Sequence, residues 1–62
     1  MKTYKTIGLP YYVKGCDNVF DAVKTLLENR IGVTENDLEE VVIDLIPMGA
    51  TIFVNKKLLT IQ

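Results

Sequence analysis

The chain has 62 residues, a formal net charge of −1, 48% hydrophobic residues, one cysteine and no histidine. That length allows a single domain, residues 1–62, burying about 60% of its unfolded surface, so stability is marginal. Without histidine there is no Ser-His or Cys-His nucleophile pair and no histidine metal site. The near-neutral charge lacks the basic footprint typical of nucleic-acid-binding domains.

Other exclusions follow from what the residues do not spell. One cysteine builds neither a thiolate zinc site nor an internal disulfide, which suits a reducing cytoplasm. No phosphate-loop or Gly-x-Gly-x-x-Gly pattern occurs. No apolar run approaches the roughly 20 residues of a membrane span, and Met1–Lys5 leads into a stretch too short and polar for a signal peptide. The expectation is a non-enzymatic, cytoplasmic chain without cofactor or metal.

In chain order, Lys5–Val13 reads as the first strand. Ile7, Leu9, Tyr11 and Val13 alternate with Thr6, Gly8, Pro10 and Tyr12. Pro10 cannot donate to a ladder, so this strand is an edge, bent, or broken at Gly8-Leu9-Pro10. Gly15 turns the chain toward a helix from Val19 to Ile31. At 100° per residue Val19, Phe20, Ala22, Val23, Leu26, Leu27 and Ile31 fall on one side, with Asp21, Lys24, Thr25, Glu28 and Asn29 opposite. Asp17 or Asn18 can cap its start, and Asp21 suits the positive end of the dipole. Gly32 stands where a left-handed residue closes a helix, with Arg30 in the last turn.

Beyond it, Thr34-Glu35-Asn36-Asp37 has the form of a capping box, opening a single turn or a polar loop. Val41–Ile46 is branched and apolar except at Asp44, as in a central strand. Pro47-Met48-Gly49 signals a turn, leading to a strand at Thr51–Val54 that pairs with Val41–Ile46 as a hairpin. Asn55-Lys56-Lys57 marks a second turn, before a short last strand at Leu58–Gln62.

The expected fold is α+β and two-layered: one amphipathic helix packed on a three- or four-stranded mixed sheet, ordered β-α-β-β with a short fourth strand available. The strands flanking the helix should run parallel through a crossover. One helix covers one face, leaving the other without cover from this chain. Tyr4, Tyr12, Val42, Ile46, Ile52 and Val54 are its candidate residues.

Residues 15–44 carry a family resemblance. Asp21-Ala22-Val23 lies early in the helix, followed by Leu26-Leu27, Ile31-Gly32-Val33, and Thr34-Glu35-Asn36-Asp37-Leu38-Glu39-Glu40-Val41. This stretch resembles the N-terminal domain of bacterial Jag proteins, which implies a strand, a helix, an acidic turn and a strand pair. The family's basic Lys-Lys-Gly-Phe-Leu-Gly type run is replaced here by Pro47-Met48-Gly49-Ala50-Thr51-Ile52-Phe53. Jag proteins continue into nucleic-acid-binding domains, which 62 residues do not contain.

Three groups of residues could carry chemistry. Cys16 precedes the helix, where amide dipoles lower a thiol pKa, but Asp17 and Asp21 oppose that shift and favour an inert thiol. Five of the eight acids lie between Glu35 and Asp44. Their spacing fits no calcium loop, which leaves solvated caps or an electrostatic docking patch. Lys2, Lys5, Lys14, Lys56 and Lys57, interleaved with Tyr4, Tyr11 and Tyr12, could stack single-stranded nucleic acid, or serve as soluble edges and core.

An uncovered apolar face, or a pairable edge strand, tends to meet another surface. The functional expectation is therefore a protein-interaction module that self-associates or binds another protein, with Tyr4, Tyr12, Ile52, Val54 and Lys57 as contact residues. Acids after the helix and lysines near the termini would orient two copies. The alternative is a small accessory nucleic-acid-binding domain using the lysine- and tyrosine-bearing strands.

Overall fold

The computed structural model describes residues 1–54 and 57–60, with Ile43 and the last four described by their backbone alone. Among the described residues, five strands and one helix follow in order as β1 (Lys2–Thr6), β2 (Tyr11–Cys16), α1 (Val19–Glu28), β3 (Leu38–Val41), β4 (Thr51–Val54) and β5 (Lys57–Thr60). The sheet order is β3-β1-β2-β4-β5, with β2 and β4 parallel and every other neighbouring pair antiparallel. The α+β architecture is the expected one: a single helix packed on a mixed sheet.

The expected first strand is a hairpin. Gly8 sits at φ +80, a conformation glycine adopts without steric cost, and Pro10 removes a donor that a continuous strand would need. Thr6 closes the connection from inside. Its hydroxyl donates to the carbonyl of Leu9 at 2.8 Å and accepts from the Tyr11 amide at 3.2 Å, in a fully buried position. Two strands therefore replace one, which accounts for a sheet larger than three or four strands.

Along β1 and β2, Tyr4 pairs with Val13 and Lys5 with Tyr12. The register then slips: Lys2 faces Cys16, so Lys14 and Gly15 together oppose Thr3. Gly15, at φ +78, absorbs this bulge. The extra residue rotates Cys16 onto the same side as Val13, where both join the helix-side core.

Helix α1 starts at Asn18, whose extended backbone and side chain form the cap. Its Oδ1 accepts from the amides of Phe20 and Asp21 at 3.0 and 3.2 Å. Asp21 in turn accepts the Asp17 amide at 2.8 Å. The helix ends at Glu28, three residues before the expected Ile31. Arg30, at φ +65, is the left-handed residue expected at Gly32. The Arg30 amide donates to Leu27 O at 3.0 Å, and the Ile31 amide to Leu26 O at 2.9 Å. These are the paired bonds of a Schellman closure.

Ala22, Leu26 and Thr25 are the buried helix positions, with Val19, Val23 and Ile31 packed at their margin. Phe20 and Leu27, expected to face inward, are exposed, whereas Thr25, expected outward, is buried. The sheet seats the helix along Ala22 and Leu26. Positions 20 and 27 lie roughly 140–160° around the axis from Ala22 at 100° per residue. Thr25 tolerates burial because its hydroxyl donates to Asp21 O at 3.0 Å.

The largest difference lies after the helix. Thr34 and Asp37 do form a capping box, with the Thr34 amide donating to Asp37 Oδ2 at 2.8 Å around a single 3-10 turn, Glu35–Asp37. The next strand, however, is Leu38–Val41, an edge strand beside β1. Ile43–Leu45 is a 3-10 turn, so Val41–Ile46 is no central strand and forms no hairpin with Thr51–Val54. Instead β4 pairs in parallel with β2, Tyr12 opposite Ile52 and Val13 opposite Phe53.

Chirality explains the route. β2 and β3 run in the same direction, separated by β1, and α1 connects them over one face. The return from β3 to β4 travels the opposite way across the sheet. It keeps the same hand only by crossing the other face. Residues 42–50 do so as a strap, with Ile46 and Ala50 packing against Tyr12, Ile52, Val41 and Val54. The second face, expected to be bare, is therefore partly covered by the chain itself.

The expected turn at Asn55-Lys56-Lys57 and the end of the expected Leu58–Gln62 strand fall partly on residues 55, 56, 61 and 62, outside the described residues.

Candidate interaction surface

The helix-side core takes Tyr4, Val13, Cys16, Ala22, Leu26, Val33, Leu38 and Phe53, with Tyr11 tilted against Phe53 at 6.4 Å between ring centroids. The strap-side cluster is smaller, with Tyr12, Ala50 and Ile52 at its centre. This difference decides where a partner could touch.

Each candidate contact residue has a definite place. Tyr4 lies in the helix-side core, on the face opposite to the one expected. Tyr12 and Ile52 are on the strap face but buried, and Val54 is half-buried beside them. The side chain of Lys57 is outside the described part of the structure. These five do not form one exposed patch. Strand alternation reports which face a residue shares, and only the path of the strap determines which of those residues water still reaches.

Exposed apolar residues occur on and beside the strap, and also at Met1, at Ile7 and on the outer side of the helix at Phe20 and Leu27. Val42 is 60% exposed, Leu45 77%, Met48 71%, and Leu9, in the β1–β2 turn, 47%. Leu45, Met48 and Leu9 had not been singled out from the sequence. The cue was available in an apolar run interrupted by Pro47 and Gly49, which cannot all be interior if the chain turns there.

Two grooves lie on this side, both lined by Lys5 and Tyr12 and so sharing one floor. The first, about 460 Å³, is walled by Leu9, Pro10, Pro47 and Met48. The second, about 390 Å³, is walled by Glu39, Val41, Val42 and Leu45. The charged residues here are matched within the molecule. Lys5 Nζ lies 3.9 Å from Glu39 Oε1, and Lys2 Nζ the same distance from Glu40 Oε1, across the β1–β3 pair. Such exposed pairs contribute about 0–1 kcal/mol each. They place the expected acidic and basic surfaces side by side, so these four charges do not form the separated patches that would orient two copies.

Cys16 is buried, its sulfur 3.8 Å from the Val13 carbonyl. Burial pushes its pKa above the ordinary value, and the nearby Asp21 and Asp17 carboxylates add to the rise. That is the inert state of a thiol. A cleft of about 250 Å³ between β2 and α1 reaches Cys16, and Asp21 is the acid lining it. Among the described residues, no three Cys, Asp or Glu side chains gather into a metal site. Among the same described residues, no buried polar side chain lacks a hydrogen-bond partner, and no helix is long and apolar enough to cross a membrane. No family model, curated protein or solved structure matches this chain.

Proposed function

We propose that this protein is a non-enzymatic interaction module that self-associates through the strap face of its sheet. The observation carrying this reading is the gathering of Val42, Leu45, Met48 and Leu9, all exposed, around two grooves with a common floor. Apolar patches of this kind on a small domain favour burial against another surface, and a domain this small gains stability by associating. The free buried thiol suits a reducing compartment, and we place the protein in the cytoplasm.

The nucleic-acid alternative gains no comparable support. Tyr4 and Tyr12 are buried, Tyr11 leans on Phe53, and Lys2 and Lys5 stand beside glutamates. Stacking platforms need exposed rings in a cationic groove.

Sedimentation velocity over the micromolar range tests the proposal. A concentration-dependent dimer is expected, and a monomer throughout overturns it. Met48→Lys should raise the dissociation constant by about tenfold, near 1.4 kcal/mol, while changing folding stability by no more than about 0.5 kcal/mol. A Tyr12→Ala variant would report folding instead, because the ring is buried. Binding to single-stranded oligonucleotide with a steep salt dependence would favour the alternative.

A further inference from the structure

We infer that the two copies meet strap face to strap face about a two-fold axis lying in the contact plane, Met48 of each seated in the other's groove between Val42 and Leu45. This arrangement rests on the self-association proposed above.

Area selects the occupant. A stable complex buries about 800 Å² per partner, about a fifth of the 4244 Å² accessible here. The body measures 26 × 22 × 21 Å. One side of it reaches that area only when covered from edge to edge. A peptide in one groove would leave the apolar wall of the other in water. A second copy covers both, because its own strap face has the same extent.

Charge agrees. At the floor of the strap face Lys5 stands beside Glu39, a neutral pair that meets its own copy without net repulsion, and the exposed Asp44 of the strap adds one acid per copy. The edge does not. If β3 paired with β3 of a second copy about a two-fold centred on Glu39, on Glu40 or between them, glutamate would stand directly opposite glutamate. Like charges so placed are destabilising. Association through the face therefore closes on itself, and growth along this edge is opposed.

Groove geometry sets the orientation. Met48 borders the first groove and Leu45 the second, on either side of the Lys5–Tyr12 floor. With the axis across that floor, each groove faces its counterpart of the other kind. Met48, unbranched and adaptable in shape, then meets an apolar wall. With the axis along the line joining the grooves, Met48 would meet Met48 and both grooves would remain unfilled.

Engineered disulfides provide the test, because Cα atoms more than about 7 Å apart cannot be bridged. M48C and L45C are prepared separately, one isotopically labelled, and oxidised mildly alone and as an equal mixture. Sedimentation of the unmodified protein runs in parallel. The mixed M48C–L45C species should form about tenfold faster than either same-site species, the gain an effective concentration confers. A dimer in which same-site M48C links dominate, or in which no link forms, overturns this arrangement and leaves self-association standing. A monomer at every concentration overturns both.

Discussion

The two faces of the sheet are built by different means. On one, a capped helix lays Ala22, Leu26 and Thr25 over Tyr4, Val13, Cys16, Leu38 and Phe53. On the other, an irregular strap sets Ile46 and Ala50 over Tyr12 and Ile52, leaving Leu45 and Met48 in solvent. A helix presents a repeating apolar stripe and satisfies its own backbone, so it covers a face economically. A strap interrupted by Pro47 and Gly49 has no such period. It buries a few side chains and exposes their neighbours. The first face holds the larger core and the second the smaller one.

Adjacent residues of β4 give the sharpest test of that contrast, since Phe53 faces the helix and Ile52 the strap. Phe53→Ala should cost about 3–5 kcal/mol, enough to unfold a domain this small, as read by urea denaturation of the dilute monomer. Ile52→Ala should cost less, about 2–3 kcal/mol. Equal losses would make the strap face a second full core and break the comparison. Thr6→Val comes next, at about 1–3 kcal/mol, because the Leu9 carbonyl and Tyr11 amide lose their buried partner. A loss below about 0.5 kcal/mol would show that the backbone alone holds the hairpin.

Smaller effects refine the helix side. Arg30→Gly should stabilise the protein by about 0.4–1 kcal/mol, since φ +65 strains a residue with a Cβ and glycine occupies it freely. Destabilisation there would mean that the arginine side chain contributes more than its backbone strain costs. Cys16 gives the smallest predicted signal. Its folded pKa lies above the ordinary 9.0. Its protonated form is thus favoured by folding, and that contribution is complete below the unfolded pKa. It is lost as pH rises through the folded value. Wild-type stability relative to Cys16→Ala should therefore hold to about pH 9 and fall above it. A flat difference would indicate a thiol as solvated folded as unfolded.

Much of the helix-side layer was legible in the linear pattern. A cap at Asp17 or Asn18, resolved by the structure to Asn18, the Thr34–Asp37 box and the inward Ala22 and Leu26 all depend on neighbours within a few residues. Pro10 marks an edge, a bend or a break at Gly8-Leu9-Pro10 for the same reason, and the structure takes the break. The candidate contact residues were less legible. The sequence pattern puts Tyr4 and Tyr12 on one face, but the hairpin and the pairing of Lys5 with Tyr12 place them on opposite faces. Ile52 lies on the expected face and is buried there with Ile46 and Ala50, nearby along the chain but brought over it only by the strap.

The amino-acid order by itself determined the α+β class, the helix start and the turn at Pro47-Met48-Gly49, because caps, prolines and apolar periods act over a few residues. Tertiary structure alone decided that Val41–Ile46 would leave the sheet after Val41 and cross it as a strap. A short apolar run suits a strand and a covering segment equally well. The hand of the return from β3 to β4 makes the choice, since that route must pass over the face the helix left open.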